Sequence, residues 1–119
     1  MTDKTPAQHA SDAAEAVRAI NHATLSPLPS DGWTYPSDAY STVGDLARVA
    51  MMLPQALDQI GNFIEKMTEE EHLSSDRGTL QADLTDTHSG LVEASQAARQ
   101  LYEALNRAHS GLSAIAYKS

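Results

Sequence analysis

Glu69 and His72 stand three residues apart, the Glu-x-x-His spacing that sets a carboxylate and an imidazole on one helical face to hold a metal ion. A di-metal carboxylate centre needs that motif on two helices and further glutamates facing the core, whereas this pair is single and falls where a helix ends. His88 follows Asp86 beside an apolar row, which suits a half-buried imidazole bonded to a neighbour. His9, His22 and His109 have no acid or histidine at a helical spacing that makes a metal pair, so they are read as structural or exposed. Without cysteine there is no thiolate ligand, thiol nucleophile or disulfide. The many serines sit in no Gly-x-Ser-x-Gly elbow, and no phosphate-cradling glycine loop or dinucleotide fingerprint occurs. The expectation is a protein that is not an enzyme, with no cofactor, no metal and no small-molecule substrate.

The elements that would carry any site are set by composition. Hydrophobic residues make up 41% and aromatics only 5%, so the core must come from Leu, Ile, Val, Met and Ala, which favours close helix packing over a sheet sandwich. A chain of 119 residues is one domain in size. Sixteen acids against eight basic residues give a net charge of −8, which opposes direct nucleic-acid binding and adsorption to anionic membranes. No run of about 18 apolar residues occurs, and the N-terminal residues lack a basic-then-apolar leader, so a cytoplasmic protein is expected.

Periodicity predicts three helices. The first, about 6–24, opens at Thr5-Pro6-Ala7-Gln8, a capping hydroxyl, a first-turn proline and a glutamine, with a start at Ser11 as the alternative. Its apolar stripe is thin: Ala13, Ala16, Val17, Ile20 and Ala23. A Pro-rich linker, about 25–37, carries Trp33 and Tyr35. The second helix, about 38–72, is expected to be capped near Ser37 or Ser41 and kinked near Pro54. Along it Val43, Leu46, Ala50, Leu53, Leu57, Ile60, Ile64 and Met67 form an unbroken 3-4 seam, flanked by Val49, Ala56 and Phe63. A turn at about 73–78 leads to a third helix, about 79–116, with Leu80, Leu84, Thr87, Leu91, Ala94, Ala98, Leu101, Leu105, Ala108, Leu112 and Ile115 in register. The predicted fold is all-α, a three-helix bundle built on a long antiparallel hairpin with coiled-coil-like heptads and a shorter first helix. The alanine-rich stretch from Ala94 to Ala98 should admit another helix closely, from the same chain or a second copy.

Two patches stand out as candidate interaction surfaces: the aromatic pair Trp33 and Tyr35, and the acidic tip Glu69, Glu70 and Glu71, whose charge sits badly at a helix C-terminus. The segments Ala16–Leu25, Tyr35–Tyr40 and Leu53–Leu57 resemble a group of small helical actinobacterial proteins, a likeness that implies a bacterial intracellular setting and no catalytic residue. The size and hairpin are also similar to the WXG100 proteins of type VII secretion. Here, however, Trp33 follows Gly32 and precedes the hairpin, and Tyr102 is followed four residues on by Asn106 rather than an acid. The expected role is a helical protein-protein interaction or scaffold protein that self-associates or binds a partner helix. A type VII substrate is the second reading and an acidic DNA mimic the third.

Overall fold

Thr5 opens the first helix with a reciprocal cap. Its hydroxyl accepts the Gln8 backbone N–H at 3.2 Å, and Gln8 Oε1 accepts the Thr5 N–H at 2.7 Å. Pro6 fills the first helical position, where its missing N–H costs nothing. A computed structural model of the chain describes residues 3–25 and 33–119. Within it the helices are α1 (Pro6–Ala23), α2 (Pro36–Glu69) and α3 (Leu80–Leu112). The fold is all-α, with α2 and α3 packed against each other as a long antiparallel hairpin and α1 the shortest element. Most of the expected linker, 26–32, lies outside the described residues.

The second helix starts earlier than its serines suggest. Asp38, not Ser37 or Ser41, provides the cap: its Oδ2 accepts the backbone N–H groups of Thr34 and Tyr35, each at 2.8 Å. Pro36 again occupies the first helical position. Pro54 lies inside α2 and is buried, and the helix continues through it. The opposite end closes with a Schellman pattern, His72 N–H to Met67 O and Glu71 N–H to Thr68 O, each at 3.0 Å. That motif needs a left-handed residue, and here it is Glu71 at φ 59°, a conformation usually left to glycine.

The turn, residues 70–79, is gathered by one carboxylate. Asp83, on the first turn of α3, accepts the Ser75 hydroxyl at 2.5 Å, the Thr79 hydroxyl at 3.1 Å and the Arg77 guanidinium. Gly78 takes φ 70° there, and its N–H closes the loop on Ser75 O.

The buried seam of the hairpin differs from the predicted one by a rotation. Most expected positions face the partner helix: Val43, Leu46, Ala50, Leu57, Ile64 and Met67 in α2, and Leu80, Leu84, Leu91, Ala98, Leu105 and Leu112 in α3 are buried or half-buried. Between them the seam shifts one residue onward, to Ala47, Pro54 and Gly61 in α2 and to His88, Ser95, Tyr102 and His109 in α3. Leu53, Ile60, Thr87, Ala94, Leu101, Ala108 and Ile115, all expected inside, are exposed. Small residues explain the shift. Gly44 lies so close beneath His109 that a Cβ there would come within 2.8 Å of Nε2, and Gly61 lies beneath Leu91 and His88. Glycine in a helix costs about 1 kcal/mol relative to alanine, and here it is offset by letting two backbones approach.

All contacts between described helices join α2 to α3, and no residue of α1 is buried. Of its apolar stripe only Ile20 is half-buried, so α1 adds no side chain to the hairpin core.

Candidate interaction surface

The rotation of the seam decides what the hairpin shows to its surroundings. One residue back along a helix is a turn of about 100°. Because α2 and α3 run antiparallel, the residues preceding the seam positions on both helices turn toward the same broad side. That side therefore collects Leu53 and Ile60 from α2 with Ala94 and Leu101 from α3, and the adjacent row adds Val49, Ala56 and Phe63 opposite Ala97 and Ala104. These are large apolar groups in the open: Leu53 is 38% exposed, Ile60 49%, Phe63 61% and Leu101 48%.

The other broad side is polar. Its shallow grooves are lined by Gln55, Asp58 and Glu65 of α2 together with Thr85, Arg99 and Glu103 of α3. Met51 and Val92 are apolar exceptions there. Arg99 reaches from this side to the seam, where its Nη1 donates to the buried Ser95 Oγ at 3.1 Å. A buried hydroxyl oxygen is thereby satisfied from the polar face.

The chain as a whole leaves much of its surface open, in part because α1 packs on neither hairpin helix. The accessible surface is 9350 Å², against about 6,300 Å² for a folded monomer of this mass. The Cα radius of gyration is 19.3 Å, where a compact chain of this length has about 13.5 Å. The core named by full burial is three alanines, Ala47, Ala50 and Ala98, joined by Pro54 and Ser95. Burying methyl groups yields about 0.8 kcal/mol each, little against the entropy of ordering two helices of this length.

The two patches singled out in the sequence fall at opposite ends. Tyr35 is the residue before α2, and its ring meets Tyr117 edge-on at 5.2 Å. Trp33 beside it is half-buried. Nearby, Tyr40 stacks on His109 with centroids 3.9 Å apart, so His109 is an aromatic partner of the open end rather than an isolated surface group. Glu69, Glu70 and Glu71 are exposed at the far end of α2, about 50 Å away along its 34 residues. The structure does not bring the aromatic pair and the acidic tip together. Asp38, between Tyr35 and Tyr40, is held below the usual carboxylate range by the Tyr35 and Thr34 backbone N–H groups.

Sequence reasoning found the flanking row of this face, Val49, Ala56 and Phe63, but not the rest. It counted Leu53, Ile60 and Leu101 as hairpin core, and the signal that would have moved them outward was Gly44 and Gly61, small residues in mid-helix. Among the described residues no three acid or imidazole groups gather to hold a metal, and no helix is long and apolar enough to cross a membrane. Comparison with protein families, curated proteins and solved structures finds no match.

Proposed function

We propose that this chain is a small non-catalytic interaction or scaffold protein whose working surface is the apolar broad side of the α2–α3 hairpin. One observation carries the reading: Val49, Leu53, Ile60, Phe63 and Leu101 share one exposed side, while the other side is mainly polar, with Met51 and Val92 its apolar exceptions. Contiguous apolar surface on a hairpin with so little buried core is a surface that a partner covers. Its 3-4 spacing on α2 fits a helical partner, whose ridges would lie in the groove between the two helices. The aromatic end and the acidic tip are then the rims of a rod rather than its binding sites.

A photo-crosslinking residue placed at Ile60, and separately at Asp58 on the polar side, tests this in cells. Protein adducts formed from position 60 and absent from position 58 are expected. No adduct from either, or equal adducts from both, overturns the reading.

A further inference from the structure

We propose that the occupant of the apolar side is a second copy of this chain, packed face to face about a two-fold axis parallel to the rod, so that each α2 lies on the partner's α3. The proposal rests on the reading of that side as a docking surface and names what docks.

Size complementarity comes first. The exposed row on α2 is mostly large, with Val49, Leu53, Ile60 and Phe63 around a single Ala56, whereas the row on α3 is mostly small, with Gly90, Ala94, Ala97 and Ala104 around a single Leu101. Gly44 beside His109 and Gly61 beside Leu91 set which residues of the two helices lie level. A two-fold axis along the rod keeps every level, so Phe63 arrives near the partner's Gly90, Ile60 near its Ala94 and Val49 near its Ala104. Large meets small in three of the five layers, while Leu53 meets the partner's Leu101 and Ala56 its Ala97, so that the mean helix spacing stays even. Turning the second copy end over end would set α2 on α2 and α3 on α3, crowding one pair and leaving the other loose.

Charge follows the same register. The outer edge of α2 repeats at seven residues as Asp45, Met52, Gln59 and Lys66, and that of α3 as Asp86, Glu93, Gln100 and Arg107. All eight are exposed. Within one chain these edges point away from each other. In the pair they meet along a rim: Lys66 faces the partner's Asp86, Gln59 its Glu93, and Asp45 its Arg107, each twice by symmetry. Lys66, Asp86 and Arg107 have no ion-pair partner among the described residues, and Asp45 holds only the exposed Arg48 at 3.0 Å. The like-charged Glu69–Glu71 tips fall on diagonal helices, about 14 Å apart at ordinary helix spacing and beyond a Debye length.

The area is sufficient. Leu46 to Met67 spans about 32 Å and two helices about 20 Å across, on the order of 1,300 Å² for the two copies together, inside the range of specific interfaces.

Light scattering coupled to size exclusion on the full chain, over a dilution series, reads the outcome. A mass twice the 12.8 kDa of the chain, falling to 12.8 kDa on dilution, is expected. Lys66→Glu should weaken association about ten-fold, because two attractive rim pairs become repulsive, and adding Asp86→Lys in the same chain should restore it. Rescue by Asp45→Lys instead of Asp86→Lys would overturn the arrangement in favour of α2 on α2. A monomer at every concentration overturns the second copy as occupant. In that case adducts from position 60 would still carry the docking surface with a foreign helix, and their absence would remove both readings together.

Discussion

The hairpin's fully buried positions are small, and several of its large apolar residues lie in the open. Along the seam sit Ala47, Ala50, Gly61, Ser95 and Ala98, while the broad side next to it shows Leu53, Ile60, Phe63 and Leu101. In a lone helical pair the reverse is expected, since a leucine withdrawn from water contributes about 2 kcal/mol and an alanine far less. The difference teaches that the two surfaces have separate tasks. The seam fixes the distance and register of two backbones, and the side supplies apolar area that the hairpin alone leaves uncovered.

The largest effect should come from exchanging those roles. Ala50 is 1% exposed, so Ala50→Leu forces the helices apart and should cost about 1–3 kcal/mol in urea unfolding. Ile60→Ser on the broad side should stay within about 0.5 kcal/mol at dilutions where the chain is monomeric. Equal losses at the two positions would erase the distinction between seam and surface.

The distinction was half legible in the sequence. Helix periodicity identified both long helices, their antiparallel pairing through a short turn and the shorter first helix, because apolar spacing and the Thr5–Gln8 cap are local signals. Periodicity marks an apolar stripe but not which part of its width meets the neighbour. Leu53 and Pro54, or Ile60 and Gly61, are adjacent on the helix, and hydropathy favours the leucine and isoleucine. Backbone approach decided for the proline and glycine, an energy that appears only when two helices are placed together. The Leu53, Ile60 and Leu101 part of the candidate surface was therefore hidden inside the predicted core, while Val49, Ala56 and Phe63 were legible as a flanking row, and Trp33, Tyr35 and the three glutamates drew attention by composition alone. Asp38 was passed over as a cap because two serines stood nearby.

A seam with so thin a core leans on its ends, and the turn is the next place to break it. Asp83 accepts three side-chain donors from the residues that reverse the chain. Asp83→Ala should cost about 1–2 kcal/mol, most of it from the Ser75 and Thr79 hydrogen bonds, because the Arg77 side chain is largely exposed and its ion pair adds little. Arg77→Ala should cost less than half as much in the same thermal melt. Equal losses would place the turn's stability in the ion pair instead.

Glu71 offers a smaller change of opposite sign. Its left-handed φ of 59° strains a side-chain-bearing residue, and its charge sits among the C-terminal carbonyls of α2. Glu71→Gly removes both penalties and adds freedom to the unfolded chain, leaving a net gain of about 0.5–1 kcal/mol. The midpoint of thermal unfolding should rise, and a fall would mean that the acidic tip contributes to the fold.

The smallest effect lies at the open end, where Asp38 caps α2. Its carboxylate is the form that accepts the Tyr35 and Thr34 N–H groups, so folding lowers its pKa. A group whose folded pKa is depressed adds stability that is fully present above its unfolded value, about 3.9, and is lost as pH falls through the lower folded value. Between pH 7 and 5 the cap is therefore constant, and below about pH 4 it fades. Asp38→Asn keeps an acceptor oxygen without the charge, so it should lower the thermal midpoint slightly at pH 7. The deficit relative to the natural sequence should shrink as the pH is taken toward 3. A deficit that stays constant over that range would assign the cap to hydrogen-bond geometry alone, and the start of α2 would then owe more to Pro36 than to the charge beside it.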